Sequence, residues 1–373
     1  METIVQNELQ EKLEKLISQK QPKAIEQIAK IRRDADNLED FVAPIGKKSH
    51  LQSPISFSSN GTVKAEIQIA GEIEKYGIHN HAVGQFGEKL GIPTRYLRDL
   101  AASPEQWARD LAAHSLNESA VNSGRSRLLI RSIEGEIRGV LSDSYRRLDT
   151  SRILAQFLNA VDSAGATIFD AAYTETKSFV EVILPRGFQI QTEKNGNVDL
   201  VFGMQISNSD FGDGSLKVSS FLVNGACWNG MLFKSSLNQI HLGRRLPDDL
   251  RLSEETYRKD TDAQASAVRD ITGQLLTKDR ILELAGKIKG AASQEIDNVE
   301  NEIRRLSRLG GGMNKGELAL VEERLKLNRA GDGLQGELTR WKLSNAVTAV
   351  ARDNEDQRRK RELEEIGAAL LDL

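Results

Sequence analysis

Arginine side chains are concentrated in one stretch of this chain, residues 125–152. Residues 125–142 read RSRLLIRSIEGEIRGVLS, and residues 143–152 continue with DSYRRLDTSR. Guanidinium groups pair well with phosphate oxygens, and an aromatic ring among them gives an unstacked base a surface to lie on. The stretch therefore predicts nucleic-acid binding, with single-stranded DNA as the favoured partner. The predicted contact residues are Arg125, Arg127, Arg131, Arg138, Tyr145, Arg146, Arg147 and Arg152.

The same stretch begins with the pattern of a β-hairpin. Glu134-Gly135 suits a two-residue turn, and period-two alternation places Arg131 and Leu128 on opposite faces. Across this turn Arg131 would face Arg138. Because like charges that face each other destabilise a sheet, the pair predicts either a bound anion or nearby carboxylates. Both alternatives stay open, since four carboxylates lie close in sequence: Glu134, Glu136, Asp143 and Asp149.

Histidines and acidic residues elsewhere do not have the spacing of a metal site. His79 and His81 lie two residues apart, but no third ligand is visibly paired with them, which favours loop or core positions. Residues 207–215, SNSDFGDGS, lack the ligand spacing of a calcium loop and are typical of a turn. The sequence therefore predicts no bound metal.

Nucleophilic side chains also lack the context of a catalytic site. Ser209, Asp210 and His241 have the residue types of a triad, but no nucleophile-elbow motif surrounds the serine. Cys227 lies between Ala and Trp in a strand-like segment, where a buried structural role is favoured. No glycine-rich phosphate-binding motif is present. The sequence predicts a non-enzymatic protein without a cofactor.

Bulk composition restricts the class of protein. Of 373 residues, 39% are apolar and 28% are charged, as in soluble globular proteins. No stretch approaches the ~18 apolar residues that a membrane span needs. A single cysteine excludes an internal disulfide and favours the reducing cytoplasm. Because the net charge is −3, nucleic-acid binding would require a local basic surface.

Hydrophobic periodicity predicts an α+β fold with a mostly antiparallel sheet core, preceded by a helical hairpin and followed by a long helical C-terminal region. A β-hairpin is expected at 53–69 and a helical hairpin at 83–100, whose outline also resembles a helix-turn-helix. Helix 151–163 is followed by strands at 166–174, 178–184, 198–207, 215–223 and 226–233. The C-terminal helices are expected at 253–275, 277–307, 315–328 and 336–371.

These elements divide the chain into three predicted parts: a helical arm at 1–45, an α+β core domain at 46–250 and a helical region at 251–373. Apolar stripes at 9–31 and 338–350 are too long to stay exposed on isolated helices. They predict a homo-oligomer assembled through the terminal helices. Folding of these helices back on the core is the alternative.

Five motifs between residues 80 and 355 resemble, in their order, the phage/plasmid-like proteins of domain-of-unknown-function family 932. The motifs are LGIPTRYL (90–97), IRGVLSDSYRRLDTSRIL (137–154), GMQISNSDFGDGSLKVSSFLVNGACWNGMLF (203–233), HLGRR (241–245) and WKLSNAVTAVARD (341–353). The resemblance implies a small cytoplasmic protein encoded by a phage, prophage or plasmid, without an assigned enzymatic activity. It also implies that the Asn-Ser and Cys-x-Asn-Gly segments are paired strands with structural roles.

Residues and resemblance together predict a nucleic-acid-binding protein of a mobile genetic element, acting in single-stranded DNA binding or annealing during recombination or replication. A looser architectural likeness to single-strand annealing proteins points the same way. The alternative is a protein–protein interaction module whose terminal helices bind a host or phage protein. An exposed basic groove would favour the first, and an exposed apolar helical surface the second.

Overall fold

The computed structural model describes residues 2–46, 55–69, 71–241, 243, 252–327, 334 and 336–372. Over these ranges the chain has an α+β architecture with two six-stranded sheets, which confirms the predicted fold class. We name them sheet A and sheet B. In the described ranges, every helix is too short or too polar to span a bilayer.

Sheet A is built from the N-terminal part of the chain. Its strands are β1 (Leu38–Pro44), β2 (Ser56–Ser58), β3 (Lys64–Ile69), β4 (Glu72–Ile78), β5 (Arg127–Ile133) and β6 (Glu136–Leu141), in the spatial order β1-β5-β6-β4-β3-β2. Neighbours are antiparallel except β4 and β6. Glu134 and Gly135 both have positive φ, as the two-residue turn between twisted strands requires, so the predicted β5–β6 hairpin is confirmed.

Three helices connect β4 to β5 and cover one face of sheet A: α2 (Asn80–Leu90), α3 (Thr94–Ala101) and α4 (Gln106–Val121). Phe86, Leu97 and Leu116, one from each helix, are buried in the same cluster as Ile130 and Val140 of the sheet. The predicted helical hairpin is therefore α2–α3, and it packs on a sheet. The sequence analysis did not predict α4.

Sheet B contains β7 (Thr167–Tyr173), β8 (Ser178–Thr192), β9 (Gly196–Asn208), β10 (Leu216–Asn224), β11 (Gly230–Leu232) and β12 (Leu237–Gln239). Its order is β11-β10-β9-β8-β7, with β12 also paired to β10, and all pairs are antiparallel. Alternate residues of β9 point to opposite faces. Leu200, Phe202 and Met204 enter one core cluster, whereas Val201 enters another. Both faces of sheet B are thus buried.

Helices α5 (Thr150–Ser163), α6 (Glu254–Leu275) and α7 (Lys278–Ser293) cover the first face of sheet B. The remaining helices are α8 (Val299–Leu306), α9 (Lys315–Leu327), α10 (Arg340–Arg352) and α11 (Gln357–Ala369), followed by a 3₁₀ turn at Leu370–Asp372. Two long predicted helices, 277–307 and 336–371, are each divided into two. Between α7 and α8, Glu295 forms an isolated antiparallel β-bridge with Thr339. Between α10 and α11, the side chain of Asp356 caps the start of α11.

Helix α1 (Glu2–Asp36) covers part of the second face of sheet B, where Leu13 is fully buried beside Val201 and Phe221. The predicted helical arm 1–45 is helical only to Asp36, because Leu38–Pro44 pairs with β5 and becomes an edge strand of sheet A. The predicted boundary at 250/251 lies outside the described residues.

The apolar stripes of the terminal helices are mostly covered within the chain, although Ile25 on α1 is 51% exposed. Leu9 and Ile31 on α1, and Trp341 and Val347 on α10, are all buried. The alternative in which these helices fold back on the core is therefore the observed one. Homo-oligomerisation stays a prediction, without the exposed stripes that suggested it.

Candidate functional site

Arg131, the centre of the predicted basic surface, lies inside the protein. Its side chain is 1% exposed, and its guanidinium binds Asp40 at 2.7 Å, Asp149 at 2.8 Å and the backbone carbonyl of Asp210 at 2.8 Å. Asp40 stands directly opposite Arg131 in the β1–β5 ladder. Burial alone would lower the pKa of Arg131, but the facing carboxylates Asp40, Asp149 and Asp210 outweigh it and keep the group charged.

The predicted face-to-face arrangement of Arg131 and Arg138 is wrong. A bulge shifts the β5–β6 register, so that Arg131 stands opposite Gly139 and Arg138 is the extra residue. Arg138 instead binds Asp34 at 2.7 Å and Glu136 at 3.3 Å. The bulge separates two like charges that a regular ladder would bring together. No bound anion is needed to explain this pair.

Four of the other predicted arginines also pair with carboxylates, whereas the exposed Arg125 has no ion pair among the described residues. Arg127 binds Asp143 at 2.9 Å, and Arg146 binds both oxygens of Asp260. Arg147 contacts Asp40, Glu254 and the ring of Tyr257, and the half-exposed Arg152 contacts Asp262. Their partners come partly from α6, more than a hundred residues further along the chain.

Tyr145 does not offer its ring to a base. The ring is buried, stacks on His241 with centroids 5.1 Å apart, and donates its hydroxyl to the carbonyl of Ser209 at 3.0 Å. Only Arg125 and Arg152 of the eight predicted contact residues are exposed. The structure thus places most of these residues in ion pairs that join sheet A and the segment after it to α1 and α6.

The polar loop after β9 is a structural junction. Asn208 donates to the carbonyl of Leu148 at 2.6 Å, and the Ser209 hydroxyl donates to the carbonyl of Thr176 at 2.7 Å. His241 places one ring nitrogen 3.0 Å from Asn208 Oδ1 and the other 3.1 Å from the carbonyl of Arg146. The serine and the histidine therefore bind other partners rather than each other.

A cavity of about 260 Å³ lies on the second face of sheet B, where α1 on one side and α10–α11 on the other leave a gap. We call it the sheet B cavity. Its apolar wall is formed by Leu16 on α1 together with sheet and turn residues, namely Phe169, Phe221, Val223, Trp228 and Leu232. The strand residues among them face the cavity because period-two alternation places every second residue of β7, β10 and β11 on this side of the sheet.

Polar side chains converge on the opposite wall. Glu181 on β8 stands directly across from Gln205 on β9, whose amide donates to it at 2.9 Å, and Arg361 on α11 binds the same carboxylate at 2.7 Å. Burial alone would raise the pKa of Glu181, but the positive charges of Arg361, Lys360 and Lys20 hold it below its ordinary value. This carboxylate is fully compensated.

Glu364 is the exception in this wall. It is 7% exposed, it lines the cavity, and within the described part of the chain its carboxyl has no hydrogen-bond or ion-pair partner. Burial and the neighbouring carboxylate of Glu181 together raise its pKa to about 7, against the attraction of Arg361. Near neutral pH this group can hold or release a proton inside an apolar-walled space.

Three cationic side chains complete the lining. Lys20 on α1 binds Asp170 at 2.8 Å, and Arg352 on α10 binds Asp353 at 3.1 Å and the carbonyl of Cys227 at 2.9 Å. Lys360 lies one helical turn before Glu364 on α11. Among the described residues, clusters of three or more His, Cys, Asp or Glu that could hold a metal are absent.

A second concavity is less suited to hold a ligand. The groove between α8 and α9 is larger, about 580 Å³, but exposed charges of both signs line it: Glu300, Arg304, Glu322 and Lys326. The sheet B cavity combines an apolar wall with a buried ionisable group, which is the usual combination at a binding site.

The sequence analysis missed the sheet B cavity. Glu364 falls in the charge run EDQRRKRELEE, which is typical of a solvated helix face. One feature of the sequence could have indicated that Glu364 is buried. Arg361, Glu364 and Ala368 follow one another at helical spacing and lie on the buried face of α11. Charged residues inside such a stripe indicate buried, and therefore compensated or functional, positions.

Comparisons of the chain with protein-family models, curated proteins and solved structures gave no match. The resemblance to domain-of-unknown-function family 932 stays a prediction from the motifs of the sequence.

Arg131→Gln should unfold more easily than the parent protein, because it leaves Asp40 and Asp149 without their buried cation. Breaking one side of a buried ion pair costs ~3–5 kcal/mol. Arg152→Gln is the matched control, since its pair with Asp262 is about half exposed and should contribute less than ~1 kcal/mol. Urea unfolding of both variants measures the difference. Equal stability of Arg131→Gln and parent would contradict a structural role for this arginine.

Glu364→Gln should alter how stability depends on pH. The pKa of Glu364 in the folded protein lies above its unfolded value, so the native state binds the proton more tightly. Its stabilising contribution is full below about pH 4.5 and is lost as pH rises through 7. Each pKa unit corresponds to about 1.4 kcal/mol, so the total change is a few kcal/mol.

The parent should therefore lose stability relative to Glu364→Gln between about pH 4.5 and 7, and the difference should then stay constant. Glu365→Gln, a change at the neighbouring and partly exposed position of α11, serves as the control. Chemical unfolding at a series of pH values gives both comparisons. A pH-independent difference between parent and Glu364→Gln would refute the raised pKa.

Proposed function

We propose that this protein binds a small organic molecule in the sheet B cavity, without catalysing a reaction. The observation that carries the proposal is Glu364, a carboxyl that is more than nine-tenths buried, faces the cavity and has no partner among the described residues. Leaving such a group unpaired costs stability. A ligand that pairs with it would offset this cost when it binds.

The size and lining of the cavity support the same proposal. Its volume exceeds the ~150 Å³ of an apolar cavity that binds benzene. It lies just below the ~300–1,000 Å³ that is usual for drug-sized ligands. A compact metabolite with one ring or a short branched chain fits this range. Phe169, Phe221 and Trp228 would contact its apolar body, while the polar wall would fix its orientation.

Binding rather than catalysis fits the side chains that line the cavity. The thiol of Cys227 is buried 4.0 Å from Asn345 Oδ1, a contact that positions it within the structure. Asn345 also accepts from Asn224 at 2.8 Å, and its carbonyl accepts from Asn229 at 3.3 Å. These contacts tie α10 to the β10–β11 turn. They support the structural role expected for the Cys-x-Asn-Gly segment.

Nucleic-acid binding is the second candidate function, at a surface other than the arginine hairpin. Tyr96 on α3 is 54% exposed and Trp107 on α4 is 65% exposed, and Arg95 beside Tyr96 is exposed as well. Exposed aromatic rings near a cation can stack unpaired bases. These exposed side chains, on two helices that pack together, support a role on single-stranded DNA in a protein whose motifs resemble those of mobile genetic elements. The rival protein-interaction role loses its support at the terminal helices, which are packed on the sheets.

Benzyl alcohol, a neutral compact probe, should bind the parent protein at one saturable site and stabilise it against heat. Val223→Phe should abolish this binding because the added ring occupies the cavity. Val121→Phe, the same enlargement at an exposed position of α4, should bind like the parent. Ligand-detected NMR and thermal unfolding give the two readouts. No saturable binding to the parent, or equal binding to folded Val223→Phe, would refute the cavity as a binding site.

For the second candidate, the parent should shift a single-stranded oligonucleotide in a gel at low salt, and less so at high salt. Replacing Tyr96 and Trp107 together by Ala should weaken binding by ~1–3 kcal/mol for each stacked base. Ile73→Ala, at an exposed position of β4, is the control. Parent protein that leaves both single- and double-stranded DNA unshifted would remove this candidate.

A further inference from the structure

The charges around the sheet B cavity indicate what kind of ligand it takes. Five ionisable side chains line it: Lys20, Glu181, Arg352, Lys360 and Glu364. Three of them are balanced by neighbours of opposite charge. Asp170 pairs with Lys20, Arg361 with Glu181, and Asp353 with Arg352.

Lys360 and Glu364 remain after these pairs are set aside. In the described part of the chain no carboxylate lies within ion-pair distance of Lys360, and the two side chains do not form an ion pair with each other. When Glu364 carries its proton, the cavity and its paired neighbours therefore hold one net positive charge, that of Lys360. A ligand with a single negative charge would neutralise it.

Resting on the proposed small-molecule function, we propose that the ligand is a compact monocarboxylate whose carboxylate lies between the ammonium group of Lys360 and the protonated carboxyl of Glu364. The O–H of Glu364 donates to one ligand oxygen, a charge-assisted bond stronger than a neutral one. Lys360 donates to the other. The apolar body of the ligand contacts Phe169 and Phe221.

An amine is a poorer match for this arrangement. It would add a positive charge beside Lys360 and close to Arg361 and Lys20, all of which act on Glu364 from α11 and α1. Like charges within a few ångströms repel strongly where water is scarce. An amine would also require Glu364 to be ionised beside Glu181, which opposes ionisation.

Proton uptake follows from the carboxylate proposal. Two carboxylates that share one site cannot both be ionised without a large energetic penalty, so the ligand anion and a proton on Glu364 bind together. Below the pKa of Glu364, about 7, that proton is already present. Above it the protein must take up a proton, and affinity should fall about tenfold for each further pH unit.

Three probes of similar shape and different charge test the ligand class: benzoate, benzyl alcohol and benzylamine. Isothermal titration calorimetry at pH 6 should give the tightest binding for benzoate and the weakest for benzylamine. At pH 8.5 benzoate should bind at least tenfold more weakly, whereas benzyl alcohol should be unchanged. Titrations in buffers of different ionisation enthalpy should show uptake of about one proton per benzoate at pH 8.5.

Two variants assign these effects to the proposed residues. Lys360→Met should weaken benzoate binding at least tenfold and leave benzyl alcohol binding intact, and Lys360→Arg is the control that keeps the charge. Glu364→Gln should remove the pH dependence of benzoate binding. If Glu364→Gln does not fold, the two Lys360 variants and the proton-uptake titration still test the proposed carboxylate site.

The outcomes separate the two proposals. Binding of benzyl alcohol without any preference for benzoate, or a preference for benzylamine, would overturn the carboxylate class and leave the cavity as a binding site. Failure of all three probes would overturn the proposed function itself. Benzoate binding that depends neither on pH nor on Lys360 would show that the anion binds elsewhere.

Discussion

Burial of both faces of sheet B is the constraint on which much of this structure depends. Its six strands lie between α5–α7 on one side and α1 with α10–α11 on the other. Any polar side chain that is buried on these strands, or on a helix packed against them, is removed from water and needs a partner inside the protein. Glu181 does so through Arg361 and Gln205. Glu364 does not, which makes it the group most in need of an outside partner.

The same requirement explains the arginines of residues 125–152. In the sequence these arginines form a basic cluster, but the fold places acidic residues from distant segments against them. Asp34 and Asp40 come from the N-terminal segment, and Asp260 comes from α6. The resulting ion pairs connect sheet A and the segment after it to α1 and α6. Charge that looks available for phosphate is thus used to hold the parts of the protein together.

Local pattern was sufficient to predict much of the fold and little of the site. The Glu134-Gly135 turn and helix α5 are specified by nearby residues, and both occur where the sequence indicates. The bulge at Arg138 and the break before Asn298 depend on contacts from far along the chain, such as Asp34 to Arg138 and Glu295 to Thr339. The cavity depends on how α1, sheet B and α11 pack against one another. This packing involves segments far apart in the chain, so no local sequence pattern predicts it.

The central claim is that Glu364 is an uncompensated carboxyl in a binding cavity. A carbon-13 NMR titration of the glutamate carboxyl carbons, with Glu364 assigned through Glu364→Gln, measures its pKa directly. The account predicts a pKa near 7 in the free protein and a higher pKa when benzoate is bound. A Glu364 resonance that titrates near the ordinary value of 4.5, and does not respond to benzoate, would contradict it.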